Sequence, residues 1–321
     1  MILVSLIATT LLRADASGMN LDKAAQYAQE HTSQALVVAQ NGKIVYEQYW
    51  GRGAADSPHM LASGSKTFVG LGAVAAAEDG LLKIDDMACK YLTEWKNDPV
   101  KSKITVRELL TMSSGIDAGK FLENGKGQPG WDELLKKPME AKPNTLYHYG
   151  PVHMNLGAYV VERALHGESF EKYLERRILR PLGITVRWEM RYQDGHPQVA
   201  GGAFMTARDW LQLGEMLRQK GVYKGKRVLQ ERSVDALVQP SKTNANYGLT
   251  CWLVPDGEGV MKNTDTRALP DWMPKDFFMA AGMGKQRLYI IPSQGIVAVR
   301  FGAGLSRDYR DVGVLEPLLR R

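Results

Sequence analysis

Cysteine is nearly absent from this 321-residue chain, which holds only Cys89 and Cys251. No CxxC pair or knuckle spacing occurs, so a zinc ribbon, a cluster-binding module and a dithiol redox centre are excluded as organising features. The six histidines show no H-x-x-x-H or H-E-x-x-H spacing; neither a metal site nor a cofactor is expected. Cys251 lies in the strand-like run "YGLTCWLV" and reads as a buried free thiol, and nothing local supports a Cys89–Cys251 disulfide. No heptad run, fixed-period repeat or low-complexity tract is present. The formal charge of +6 is not gathered into a stripe or tail. The densest basic cluster, Arg176, Arg177 and Arg180, sits beside Glu171 and Glu175 and reads as a solvated helix face. Nucleic acid is therefore not an expected partner. With 44% hydrophobic residues the chain can bury a large core.

A long hydrophobic run is also lacking. The N-terminal "MILVSLIATTLLRADASGM" is too short for a membrane span. Its apolar core has secretory length and is followed by a small-x-small site at Ala14-Asp15-Ala16. It has no basic leading region, and Arg13 stands between core and site. Two readings of residues 1–16 stay open: a signal peptide, implying a periplasmic or secreted protein, or an extension of a cytoplasmic one.

Strand signals concentrate at the two ends. "ALVVAQNGKIVYEQYW" holds two strand-like runs around Asn41-Gly42, a strong hairpin signal. "RLYIIPSQGIVAVRFG" reads as a second hairpin around Ser293-Gln294-Gly295. Strands from both ends would pair in one antiparallel sheet with helices packed on it. Helices are expected over 19–31, 65–79, 105–115, 154–167, 169–179, 206–221 and the C-terminal "RDVGVLEPLLRR", which contains Pro317. Thr105 with Glu108 forms a capping box. Residues 116–146 and 255–275 read as irregular. The fold class is thus α+β, an α-β sandwich plus a mainly helical region. One domain spans 17–321, with its α/β part at about 17–60 and 277–321 and its helical part at about 61–250.

"MLASGSKTFVGLGAVAAAEDG" (60–80) carries the densest chemistry. Its G-S-K-T is not a phosphate loop: Lys66 follows Ser65 instead of glycine, and His59 stands where the first glycine belongs. The alternative is S-x-x-K, Ser63-Gly64-Ser65-Lys66. Residues i and i+3 share a helix face, so Lys66 would point at the Ser63 hydroxyl. Ser63 would sit at a helix N-terminus, which favours developing negative charge. The helix continues as "TFVGLGAVAAA", so Lys66 is rooted in an apolar element where a neutral amine, a usable base, is favoured. Ser65 and Thr67 read as helix-start residues. S-x-x-K alone also occurs by chance.

Further segments narrow the reading. Ser63-x-x-Lys66, "ITVRELLTMSSGI" and "YHYGPVHMNLGAYVVER", in that order, resemble the serine β-lactamase/penicillin-binding superfamily. Within it the chain is most similar to class C β-lactamase-related enzymes, the family VIII carboxylesterases and 6-aminohexanoate-dimer-hydrolase-like proteins. "EDGLLKIDD", "RPLGI" and "GGAFMTARDWLQLGEML" resemble that family's connecting segments, so the likeness runs from about residue 17 to the C-terminus. It implies a serine hydrolase that works through an acyl-enzyme, with Ser63 as nucleophile and Lys66 as base. Tyr149 matches the family tyrosine that relays a proton. Tyr147 is the rival and is expected as a core aromatic.

The sequence departs from the family pattern twice. Pro151 stands where the tyrosine element would carry asparagine, and the K-T-G element is missing; Lys242-Thr243 lies too early. In its place "FFMAAGMGKQRLYIIP" resembles a variant of amide- and ester-hydrolysing relatives. The backbone N–H groups of Ser63 and Met283 are the candidate oxyanion donors, with Gly282 and Gly284 allowing close backbone approach. His153 and Trp252 are candidate substrate contacts; packing roles for them, and for His148 and Trp188, stay open. Lys285 or Arg287 could supply charge near the site. No G-x-S-x-G elbow frames a serine. The resemblance thus implies a carboxylesterase on small or short-chain esters. The alternatives are an amide hydrolase or weak β-lactamase or D-alanyl peptidase on the same machinery, and a non-catalytic peptide- or cell-wall-binding relative. The expected partner is a small-molecule ester or amide.

Overall fold

The structure, a computed structural model, describes residues 18–120, 130–256, 269–304 and 308–320. The reading of residues 1–16, and most of the segment expected as a loop at 255–275, lie outside these.

Two hairpins from opposite ends of the chain form one five-stranded sheet. β1 (Ser33–Gln40) and β2 (Lys43–Tyr49) are joined by Asn41 and Gly42, both with positive φ, as the tight turn requires. β3 (Phe278–Gly282), β4 (Gln286–Ile291) and β5 (Ile296–Gly302) form a C-terminal meander. The order is β2-β1-β5-β4-β3, and every pair is antiparallel. β1 meets β5 at the centre, with Val37 opposite Val299. Both strands are buried on both faces, which is why "LVVA" and "IVAV" read as continuous apolar runs instead of alternating ones.

Helices cover both faces. α1 (Leu21–Glu30), capped by Asn20, packs with the C-terminal α5 (Asp311–Leu319), where the Tyr27 ring fills the space beside Gly313. α4 (Ala207–Arg218), capped by Thr206, lies on the opposite face. A Cβ at Gly214 would come within 2.6 Å of Val297 and 2.7 Å of Leu288, so glycine lets this helix seat on the sheet.

The remaining helices surround α2 (Thr67–Glu78), which a 3-10 turn, Ala62–Lys66, feeds. α2 is apolar all round because it is enclosed all round. α3 (Pro151–Ala164) packs along it. The sequence placed this helix at 154–167; it begins three residues earlier because Pro151 occupies the first helical position, where its missing N–H is harmless. The helix expected over 169–179 instead runs as Phe170–Leu174, a π turn Glu175–Leu179 and Arg180–Leu182, closed by Gly183 in the left-handed conformation. Arg177 leaves the expected solvated face and reaches Glu78 and Asp79 at the end of α2. The Thr105/Glu108 capping box is present. Cys89 and Cys251 are both free, and burial pushes the Cys251 thiol up to about 12, an inert thiol.

On the outer side of α3, His196 stacks on Trp131 at 4.1 Å, hydrogen-bonds Glu162 at 2.8 Å and pairs with Asp194 at 2.8 Å. Burial works against its charge, but the two carboxylates outweigh burial and raise the imidazole to about 9. Among the described residues no helix is long and apolar enough to cross a membrane.

Candidate active site

The turn before α2 is built around a strained residue. Ala62 has φ 47, a left-handed conformation that costs a non-glycine residue about 1–2 kcal/mol. Three contacts hold the turn. Leu61 N donates to Ala203 O at 2.9 Å. The Ser65 hydroxyl donates to Ala62 O at 2.6 Å and accepts from Ala203 N at 3.1 Å. Ser65 is therefore a buried bridge between the turn and the strand Ala203–Met205, not merely a helix-start residue. Gly64 packs against Trp210, whose ring a Cβ would meet at 2.8 Å.

Ser63, half-buried, and Lys66, 1% exposed, face each other as the i, i+3 spacing requires: Nζ donates to Ser63 Oγ at 2.9 Å. Nζ also donates to Ala200 O at 2.7 Å. The same Ala200–Ala203 strip thus fixes both ends of the S-x-x-K turn. The Tyr149 ring closes a third side, its centroid 4.9 Å from Lys66 Nζ.

Tyr149 sits on the segment leading into α3. That segment is tied down by His148 N to Met112 O at 3.0 Å and by Val152 N to Ala118 O at 3.1 Å. Gly150 between them has no room for a Cβ, which would lie 2.2 Å from Ala118 O. The Tyr149 ring stacks on Trp252 at 5.8 Å. Tyr147, by contrast, is buried beside Tyr247, and burial pushes its phenol well above the ordinary range. It is the Tyr149 ring that lies over Lys66 Nζ.

The edge strand β3 meets the serine turn at Gly282. A Cβ there would lie 2.0 Å from Leu61 O and 3.1 Å from Gly64 N. Its close approach is thus to the residues flanking Ser63 in that turn. Met283, the next residue, is 57% exposed. Gly284 has φ 77 and serves the turn into β4.

The other expected contacts sit elsewhere. His153 does not line the site: it is 0% exposed inside α3, its Nδ1 2.9 Å from Ser114 Oγ, and burial pulls its imidazole down to about 4. Trp252 is 2% exposed; it pairs with Met279 of β3 and supports the Tyr149 ring. Trp188 lies edge-on to Phe68 in the core. Arg287 is fully buried and paired with Asp311 at 2.8 Å, so its charge does not face the site. Lys285 acts electrostatically on Asp256. Pro151, in place of the family asparagine, starts α3.

With this geometry in view, the comparisons with known proteins are specific. The beta-lactamase family profile matches residues 21–312. The chain belongs to the beta-lactamase family. Beta-lactamase-fold hydrolases are also its structural neighbours. A protein from Bacillus anthracis named as a 6-aminohexanoate-dimer hydrolase superposes with a TM-score of 0.73 at 20% identity, covering 97% of this chain and 88% of that one. A family VIII carboxylesterase superposes with a TM-score of 0.70 at 12% identity, covering 96% and 98%. At these identities the likeness is one of fold. An uncharacterized protein of Alkalihalophilus pseudofirmus is 24% identical over 83% of this chain and 82% of its own length. The chain spans less of the relatives named as D-alanyl-D-alanine carboxypeptidases in Escherichia coli, 41% of their length at 28% identity.

Proposed function

We propose that this beta-lactamase-family hydrolase works through a serine acyl-enzyme and that its substrates are small, neutral esters. The observation that carries the reading is the 2.9 Å contact between Lys66 Nζ and Ser63 Oγ at the entrance to a buried helix. Taking the Lys66 amine out of water favours its neutral form, the form able to accept the serine proton.

In this mechanism Ser63 Oγ attacks the ester carbonyl while its proton passes to Lys66. The tetrahedral oxygen rests on the Ser63 and Met283 N–H groups. The contact of Gly282 with the serine turn supports that pairing, and such a donor typically contributes about 3 kcal/mol to the transition state. Tyr149 relays a proton to the departing alkoxide, with Trp252 stacking fixing its ring. Water, activated by the same pair, then releases the acid and restores Ser63.

Preference for neutral esters is supported by the commitment of one candidate cation, Arg287. A carboxylate-bearing β-lactam or D-alanyl peptide needs a cation at the site, and Arg287, on the strand following the missing K-T-G element, is committed to Asp311. Amide hydrolysis is the second reading. It is favoured by structural neighbours named as a 6-aminohexanoate-dimer hydrolase and a D-stereospecific amidohydrolase.

The test is a panel of p-nitrophenyl acetate and butyrate, nitrocefin and a linear amide, on wild type and Ser63→Ala. Ester turnover lost in the variant and well above nitrocefin turnover in the wild type is the expected result. Nitrocefin or amide rates that match the ester rate would overturn the ester preference, and full ester activity in Ser63→Ala would overturn the mechanism.

A further inference from the structure

Two arginines interrupt the apolar strands of the C-terminal meander, Arg287 in "RLYII" and Arg300 in "VAVRF". They are direct partners across β4 and β5, and both are 0% exposed. Burying two like charges side by side is costly before compensation. Replacing buried ions by well-packed apolar side chains of similar volume is often neutral or stabilising. The positions of their donors indicate what they do instead.

Arg287 Nη1 donates to Gly282 O at 3.1 Å and Gln286 O at 3.0 Å, while its Nε is held by Asp311 at 2.8 Å. Arg300 Nη1 donates to Gly284 O at 3.0 Å and Lys285 O at 2.9 Å. Its Nε and Nη2 are anchored on Ser33 Oγ and His31 O, and its plane lies 4.1 Å over the Tyr309 ring. The carbonyls of Gly282, Gly284, Lys285 and Gln286 therefore all point into one of two rigid forks. Met283, the exposed residue, is the remaining member of that turn.

The Gly282 carbonyl and the Met283 N–H belong to one peptide plane. No cis peptide occurs among the described residues, so the two groups point in opposite directions. Fixing the carbonyl on Arg287 fixes where the N–H points. Gly302 lets Arg300 reach the turn: a Cβ there would lie 2.1 Å from both Arg300 Nη1 and Gly284 O. Gln286 closes the turn with its side-chain amide, bonding both Gly302 O at 3.1 Å and Gly302 N at 2.9 Å.

We propose that Arg287 and Arg300 are positioning residues that clamp the Gly282–Gln286 turn from inside the sheet and so aim the Met283 N–H at the reacting carbonyl. This rests on the reading of Met283 as an oxyanion donor. It assigns to buried charges a task that the exposed part of the site cannot perform for itself.

The test uses Arg300→Lys, which keeps the charge but loses the fork, and the double variant Arg287→Met/Asp311→Asn, which removes the ion pair without leaving a lone buried carboxylate. Three readouts are taken per folded molecule: p-nitrophenyl butyrate kinetics, inhibition by phenylboronic acid, and hydrogen exchange at the Met283 amide. Phenylboronic acid forms a tetrahedral adduct on the serine and so reports the oxyanion donors. The expected result is a kcat lower by roughly 10- to 100-fold with KM within about threefold. The phenylboronic acid Ki should rise by the factor by which kcat/KM falls, the kcat pH profile should be unchanged, and Met283 exchange should be faster. Unchanged boronate affinity and unchanged Met283 exchange in both variants would overturn the clamp. A Ser63→Ala control that keeps ester turnover would instead overturn the serine acyl-enzyme mechanism, while the Met283 exchange would still report on the clamp.

Discussion

On one side of the site, Ser63 and Lys66 are brought together by a single helical turn, and the residues that matter stand three apart in sequence. On the other side, the Met283 turn is held by Arg287 and Arg300, with anchors on Ser33 and Asp311 from opposite ends of the chain. The first side is local and therefore cheap to specify. The second is assembled only when the N-terminal hairpin has paired with the C-terminal meander. Removing the Ser63 hydroxyl should abolish chemistry without disturbing the fold, whereas variants on the second side should degrade both together.

The largest effect is expected at the serine. Ser63→Ala should lower ester kcat by roughly 10⁴-fold or more, measured with p-nitrophenyl butyrate, with an unchanged far-UV spectrum. Next comes the tyrosine pair. Tyr149→Phe should lower kcat on the order of 10²-fold, while Tyr147→Phe, in a buried aromatic cluster with Tyr247, should stay within about threefold. Equal losses in the two variants would erase the distinction drawn between them.

A smaller effect is expected at the bridge. Ser65→Ala leaves Ala203 N and Ala62 O without the hydroxyl they share, and should cost about 1–3 kcal/mol in urea denaturation. If the variant is as stable as wild type, the strained Ala62 turn is held by something else.

The mildest test uses pH and two histidines far from each other in environment. His153 has a folded value near 4, below the ordinary 6.5, so its contribution is present above 6.5 and is lost as pH falls through about 4. His196 has a folded value near 9, above the ordinary 6.5, so its contribution is present below 6.5 and is lost as pH rises through about 9. Together they place a maximum of Tm near pH 6.5. His196→Gln should flatten the alkaline limb and leave the acidic one; a variant with an unaltered alkaline limb would contradict the assignment.

Much of this was legible in the chain because it depends on local pattern. The Asn41-Gly42 hairpin, the Thr105 capping box and the Ser63/Lys66 spacing are all short-range, and periodicity or spacing reports them. What sequence could not reveal depends on which face a residue meets in the assembled fold. His153 beside Tyr149 looked available to a substrate, yet helical rotation turns it into the core. Trp252 supports the tyrosine ring from behind because a backbone pairing with Met279 draws its segment to the sheet edge. Ser65 carried one visible signal, a second small hydroxyl inside S-G-S-K. The arginines carried another, charge in the middle of strands otherwise buried on both faces.

The central claim is that Ser63 becomes covalently acylated. Reaction with a fluorophosphonate, followed by intact mass and peptide mapping, tests it most directly. The account predicts one adduct per chain on the peptide containing Ser63, absent from Ser63→Ala and slowed in Tyr149→Phe. An adduct on another residue, or ester hydrolysis that proceeds with Ser63 unlabelled, would contradict it.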